Sequence, residues 1–235
     1  MSKHYAVSRA RWQYAQRAAL NFWKNKKPAD ERKKAEAKYL PAMRPYTDKL
    51  SADANILEIG CGALCLTHSL SQKNKTYLDP LIDDLRRMFP GELSDGEYIA
   101  GTAEHISKDD HCFDLIVCMN TISYSLNPEL AMNEIKRLLK KDGLLMLSLS
   151  VHSGLEARLH YQAERWLPWL CRRTCPYYYS ITGIRNTLER HFSIKEDILI
   201  DRQQGWMPGF CRQEHLFVCG LKTSEKKPSN DPTSP

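Results

Sequence analysis

The chain has 235 residues, 42% of them hydrophobic and 26% charged, the make-up of an ordinary globular protein. That length suits one generous α/β domain with attachments rather than two full domains. The longest nearly unbroken apolar run, residues 143–151, is far shorter than the roughly 20 residues of a bilayer span, and the opening MSKHYAVSRARW lacks the apolar stretch of a secretory signal, so a cytoplasmic protein without a membrane span is expected.

The formal net charge of +6 is unevenly spread. Residues 1–50 hold 13 Lys/Arg against 4 Asp/Glu, and the other 185 hold 21 against 24. Such a basic head either meets an anionic partner, such as RNA, a membrane surface or a charged metabolite, or forms a solvated Lys-rich helical face. The cysteines are Cys61, Cys65, Cys112, Cys118, Cys171, Cys175, Cys211 and Cys219, with no CxxC pair among them. Without a secretory signal, free thiols are expected rather than disulfides. Cys118 and Cys219 lie in apolar runs and read as small hydrophobes. His160, Cys171, Cys175 and Cys211 match no usual zinc spacing, so no metal site is expected.

In chain order, residues 5–24 place Trp12, Ala15, Ala19, Phe22 and Trp23 on one face of a helix. A second helix over 29–39 is limited by Pro41. Together they form a helical attachment over residues 1–50, ahead of a main domain over 51–222. Strand and helix patterns then alternate. Strands are predicted over 55–59, 76–78, 97–100, 113–119 and 144–151, with helices over 64–72, 82–89 and 128–141 between them. This alternation implies βαβ units and a parallel sheet covered on both faces. Residues 152–180 interrupt the rhythm as a helical insertion with Leu155, Leu159, Trp166 and Leu170 near one face. A helix over 184–192 and strands over 193–200 and 215–221 close the domain, and the polar, Pro-rich residues 223–235 read as a disordered tail.

The densest chemical signal is ILEIGCGALC, residues 56–65. An apolar strand carries Glu58 near its end and runs straight into Gly60-Cys61-Gly62, where glycine lets the backbone turn sharply and a ligand approach closely. Asp79 ends the second strand, seventeen residues past Gly62. A carboxylate there suits the two hydroxyls of a ribose. The dinucleotide fingerprint GxGxxG wants a small residue at the position of Cys65, which counts against NAD. Glu58 points instead to a ligand with a positively charged group.

These residues resemble the class I S-adenosylmethionine-dependent methyltransferases, and among them the small-molecule enzymes of the quinone-biosynthesis type. Four segments carry the resemblance: ILEIGCG; Asp79; Gly101-Thr102-Ala103-Glu104-His105-Ile106 followed by Cys112-Phe113-Asp114-Leu115-Ile116-Val117; and the run from Glu134 to Leu144 before the fifth strand. The family's third glycine is Leu64 here, and its usual Asp is Thr102. The resemblance implies a Rossmann-like, doubly wound, seven-stranded sheet, mostly parallel with the last strand antiparallel, and S-adenosylmethionine as cofactor. It also implies that Gly60, Cys61 and Gly62 line the methionine part, Glu58 helps anchor its amino group, Asp79 binds the ribose, Thr102, Ala103 and Glu104 edge the adenine, Asn120 faces the methionyl end, and Pro80 is among the cofactor-binding residues.

Candidates for handling a proton of the acceptor are those expected beyond the carboxyl ends of the strands: Tyr124, His152 and, in the insertion, His160. The insertion 152–180 is expected to close over that edge as a lid bearing His160, Tyr161, Trp166, Trp169, Arg172, Arg173 and residues 177–179. Trp206, Met207 and Phe210 are expected to open on the same side. Such an aromatic, basic rim suits an apolar or aromatic small-molecule acceptor carrying an anionic group. Two other classes stay open. One is an RNA or protein methyltransferase, suggested by the basic head but without a (D/N)PPY-type motif at Asn120. The other is a non-catalytic cofactor-binding scaffold. The oligomeric state is not legible in the sequence.

Overall fold

The computed structural model describes residues 7–153, 175–204 and 211–222. Two helices, α1 (Arg9–Trp23) and α2 (Pro28–Thr47), precede the alternating elements. These are β1 (Asn55–Ile59), β2 (Asn74–Leu78), α3 (Ile82–Met88), β3 (Glu97–Ile99), β4 (Phe113–Met119), α4 (Pro128–Leu138), β5 (Leu139–His152), the two-residue β6 (Tyr179–Ser180), α5 (Ile181–His191), β7 (Phe192–Gln204) and β8 (Cys211–Leu221). The strands form one sheet in the order β3-β2-β1-β4-β5-β8-β7, with β6 added beside β5. β1 to β5 pair in parallel. β8 runs antiparallel to both β5 and β7. The doubly wound sheet with an antiparallel last strand is therefore as the sequence implied.

Side-chain alternation shows why the strands are apolar on both faces. Leu57, Ile116, Cys118, Leu145, Leu147, Phe217 and Cys219 pack on one side with Ala131, Met132 and Ile135 of α4 and Ile184 and Leu188 of α5. Their neighbours Ile56, Leu115, Val117, Met146 and Leu216 pack on the other side with Tyr39, Leu40 and Met43 of α2. Each fully buried leucine or isoleucine in such a layer contributes about 1.5–3 kcal/mol.

Three expectations are corrected. α2 does not stop at Pro41 but runs through Pro41 and Pro45 to Thr47. The missing N–H groups are outweighed by burial of Tyr39, Leu40, Met43 and Thr47. The helix expected over 64–72 shrinks to a single 3-10 turn, Leu66–Ser69. Cys65 before it adopts a left-handed backbone, φ 46°, and the first N–H groups of the turn are claimed by Glu58. Finally, β7 and β8 extend well beyond 193–200 and 215–221, pairing along Phe192–Gln204 and Cys211–Leu221.

Strand order reverses between β1 and β4: β2 and β3 lie to one side, β4 and β5 to the other. In open α/β sheets ligands bind beyond the carboxyl ends of the strands at such a switch point.

Candidate active site

At that point the chain after β1 turns on Gly60 and Gly62, both at positive φ (70° and 54°). A Cβ on Gly60 would sit 2.2 Å from the Thr121 side chain, and one on Gly62 would sit 2.8 Å from the Trp23 ring. Glycine is therefore required twice over, by conformation and by space. The Gly60 N–H donates to the Leu78 carbonyl at 2.7 Å. The Gly62 N–H donates to Asp79 Oδ2 at 2.9 Å, and the Leu81 N–H to Asp79 Oδ1 at 2.8 Å. Asp79 thus ties the loop after β1 to the loop after β2, and each oxygen keeps acceptor capacity for a ligand. Burial pushes its carboxyl above the ordinary aspartate range, opposed by these two N–H groups.

Glu58 is spent differently. Its carboxylate accepts from the Leu66 N–H at 2.9 Å, the Thr67 N–H at 2.8 Å and the Thr67 hydroxyl at 2.7 Å. Burial raises its pKa while these donors lower it. On the far side, Glu104 Oε1 accepts from the Asn127 N–H at 2.9 Å, and its Oε2 is buried with no hydrogen-bond partner among the described residues. A carboxylate oxygen left so is costly until a donor meets it.

These groups border a cavity of about 590 Å³, within the range of small-ligand sites. Its floor is the strand ends and their loops. Its roof is α1, which presents Trp12, Gln16, Ala19, Phe22 and Trp23. The start of α1 is held down by the Val7 N–H, which donates to the Leu126 carbonyl and the Tyr177 hydroxyl, both at 3.0 Å, and by Arg11, which donates to the Cys175 carbonyl at 3.2 Å.

At the end of β4, Asn120 has φ 52°. Its amide Nδ2 donates to the Tyr39 hydroxyl at 2.8 Å and to Glu214 Oε1 at 2.7 Å. The Tyr39 hydroxyl and Lys38 also donate to the Glu214 carboxylate. Burial, then the nearby Glu214 carboxylate, pushes the Tyr39 hydroxyl well above its ordinary range, so it stays a proton donor.

A methyltransferase-domain family model matches residues 57–147, from β1 into β5. The chain is 26% identical over 149 residues to the putative methyltransferase YrhH of Bacillus subtilis, covering 60% of this chain and 81% of that one. It is 27% identical over 129 residues to a ubiquinone biosynthesis O-methyltransferase of Agrobacterium fabrum, covering 52% and 51%. YrhH apart, the chain spans about half or less of the length of the first curated relatives it matches. In fold it resembles a solved SAM-dependent methyltransferase from Methanosarcina mazei, with a TM-score of 0.56 at 16% identity, covering 77% of this chain and 97% of that one.

Residues 57–147 thus match a methyltransferase domain, and the fold is that of solved S-adenosylmethionine-dependent methyltransferases. The residues at the cavity fit S-adenosylmethionine, the cofactor of those solved enzymes, on three counts: a glycine loop that a Cβ would fill, a buried carboxylate just past β2, and a Glu104 oxygen with no hydrogen-bond partner among the described residues.

All ten residues expected at the cofactor line this one cavity: Glu58, Gly60, Cys61, Gly62, Asp79, Pro80, Thr102, Ala103, Glu104 and Asn120. Tyr124 lines it too. His152 does not. β5 runs further than expected, so His152 sits inside the sheet, paired with Ser180 and Arg212, with its ring 5.1 Å from Tyr178. His160 lies outside the described residues, as do Tyr161, Trp166, Trp169, Arg172, Arg173, Trp206, Met207, Phe210 and the tail 223–235.

Neither the roof nor the Tyr39–Asn120–Glu214 group is legible in the sequence. The aromatic stripe of α1 was visible, but nothing in its spacing said what it covers. Glu214 had a fainter signal. It lies two residues before Leu216, hence on the same strand face, where an acid among buried apolar groups needs buried partners.

Proposed function

We propose that the methyltransferase transfers the methyl group of S-adenosylmethionine to a small acceptor, aromatic or apolar in body, held between the strand ends and α1. The observation that carries this reading is the cavity itself, with a polar floor on one side and the Trp12, Phe22 and Trp23 side chains on the other. The ubiquinone biosynthesis O-methyltransferase among the relatives supports a small-molecule acceptor.

The bound cofactor would supply an activated methyl group on a sulfonium. The chain's own residues would bind, orient and exclude water, effects worth up to roughly 7–11 kcal/mol of barrier in favourable cases. Gly60 to Gly62 and Asn120 would border the methionyl end, with Asn120 fixed by Tyr39 and Glu214. Asp79 would take the ribose hydroxyls. Glu104 Oε2, buried and unpartnered, would accept from the adenine amino group, with Thr102 and Ala103 beside it. Glu58, its oxygens engaged by Leu66 and Thr67, would brace the loop and act on the cofactor's amino group through its charge. Tyr124, in the cavity wall, is the group to hold or receive an acceptor proton.

Among the described residues the cavity is bordered by three carboxylates, Glu58, Asp79 and Glu104, and by no lysine or arginine. That charge balance favours a neutral or cationic acceptor. An anionic one would need Arg172 or Arg173, outside the described residues. Calorimetric titration with S-adenosylmethionine, S-adenosylhomocysteine and NAD tests the reading. Micromolar binding of the first two and none of NAD is expected, followed by methylation of members of a phenol, thiol and amine panel. Binding without turnover on any acceptor class would sink the small-molecule reading.

A further inference from the structure

The aromatic roof of the cavity contains one side chain that its packing does not call for. α1 presents Trp12, Gln16, Ala19 and Trp23 to the cavity at spacings of four, three and four residues, the stripe by which a helix meets an apolar neighbour. Glutamine stands in the middle of it. Gln16 is half-buried, and its amide makes no hydrogen bond among the described residues. Ala18 and Ala19 beside it also border the cavity and leave it room. A carboxamide carries two donor hydrogens and an acceptor oxygen, and holding it among apolar groups costs free energy that a bond to a ligand offsets.

Topology places this amide over the switch point. The start of α1 is tied to Leu126, after β4, and Trp23 at its end packs with Leu85 of α3, the helix after β2. The helix therefore crosses the ends of β4 and β1, which are neighbours in the sheet with β2 beyond them. Gln16 is seven residues from either end of α1, about 10 Å along the axis from Trp23. Gly60 and Asn120, which follow β1 and β4, border the cavity below. That floor spends its side-chain donors within the protein. Asn120 Nδ2 donates to Tyr39 and Glu214, the Thr121 hydroxyl to the Met119 carbonyl and the Ser125 hydroxyl to the Ile122 carbonyl. Asp79 and Glu104 offer acceptors, which the hydroxyl and amino groups of the cofactor would claim. Gln16 keeps both a donor and an acceptor for the second ligand.

We propose that Gln16 is a specificity-determining residue for the acceptor: its side-chain amide hydrogen-bonds an uncharged polar substituent, a hydroxyl or a carbonyl, on an otherwise apolar or aromatic body. The substituent is uncharged because the amide carries no charge and the three carboxylates bordering the cavity repel an anion. One placed polar group in an apolar wall fixes a ligand's orientation, here how the body lies beneath the Trp12 and Trp23 rings and which of its atoms meets the methyl group. A site built to bond a substituent also rejects the analogue that lacks it.

This assignment rests on the small-molecule reading above, and the test separates the two. It uses acceptors matched in shape, 3-(hydroxymethyl)phenol against 3-ethylphenol with the corresponding thiols and anilines, on the full chain and on Q16L. The parent should prefer the hydroxymethyl member by about tenfold in kcat/KM, the effect of about one hydrogen bond, with the preference carried by KM. In Q16L the preference should fall to about one, while S-adenosylhomocysteine affinity by calorimetry stays within about twofold of the parent's. Where neither member turns over, the ratio of their dissociation constants on protein saturated with S-adenosylhomocysteine gives the same readout. An equal preference in parent and Q16L would overturn the assignment and leave the small-molecule reading standing. A roughly tenfold loss of S-adenosylhomocysteine affinity in Q16L, with the preference kept, would place Gln16 at the cofactor instead. A parent that binds S-adenosylhomocysteine but neither methylates nor binds any pair would overturn the small-molecule reading and this assignment with it. If the parent binds no S-adenosylhomocysteine, the cofactor reading fails, and the binding ratio on the ligand-free protein still decides Gln16.

Discussion

The floor and the roof of the cavity are built to different standards. In the floor, Gly60, Gly62, Asp79 and Glu58 are fixed by backbone and carboxylate hydrogen bonds of 2.7–2.9 Å. In the roof, only Ala15 and Trp23 of α1 are buried, and Phe22 is 50% exposed. Among the described residues, hydrogen bonds reach the start of α1 around Val7 and Arg11, and at its far end Trp23 packs with Ala63, Leu85 and Phe89. A preorganised floor spends little to meet a ligand, and a lightly held roof can let one in.

The sharpest break of this contrast is Asp79→Ala. It strands the Gly62 and Leu81 N–H groups and removes the proposed ribose acceptor. With hydrogen bonds to charged groups worth about 1.5–3 kcal/mol, S-adenosylhomocysteine affinity should fall roughly 10- to 100-fold, read by calorimetry. Unchanged affinity would remove Asp79 from the site. The same residue sets a pH dependence. Its folded-state pKa is raised, so ionising it costs stability as pH rises through that value, and the cost is absent below the unfolded pKa. The ionised form is the better acceptor for ribose, so affinity should fall on acidification at a pH above the ordinary aspartate range. That acid-side loss should flatten in Asp79→Asn.

Gly62→Ala strikes where floor and roof touch. The new Cβ would lie 2.8 Å from the Trp23 ring at a φ of 54°, costing about 1–2 kcal/mol for the backbone alone. We expect roughly tenfold weaker cofactor binding. Trp23→Ala in the same background would relieve the clash but leave the strain, so it should restore part of the affinity and not all of it. Full restoration would mean that only the roof had been at fault.

How much of this was readable in the sequence divides along the same line. The floor was legible because its chemistry is local. Glycines must follow a strand end, an acid must end the next strand, and Glu58, Gly60, Gly62 and Asp79 lie within about two dozen residues. The roof was not, because Trp12 and Trp23 meet the floor only through tertiary packing that periodicity does not encode. His152 was misplaced for a related reason: where a strand ends depends on its partners, and β6 and β8 carry β5 on to that residue. The turn after Cys65 defied a helical pattern because Glu58, buried in β1, claimed its N–H groups. Amide hydrogen exchange would display the division directly. Protection in α1 should be lower than in β1 and β4 and should rise on adding S-adenosylhomocysteine, while β1 and β4 change little. Equal protection in both regions would refute a lightly held roof.

The smallest expected effect tests the group that joins α2, the end of β4 and β8 at the cavity wall. Glu214→Gln keeps the shape and an acceptor oxygen for the Tyr39 hydroxyl, but Lys38 loses its counter-charge and Asn120 one charge-assisted bond. Trading such a bond for a neutral one costs about 1 kcal/mol, so cofactor affinity should drop about fivefold with a slightly lower melting temperature. Asn120 is the link between the two readouts, because its amide binds Tyr39 and Glu214 while its left-handed backbone turns the chain into the cavity wall. If melting drops and affinity stays at the parent's value, the group supports the fold alone. If affinity drops and Tyr39→Phe shows the same loss without adding to it, the two residues act through Asn120 as a unit.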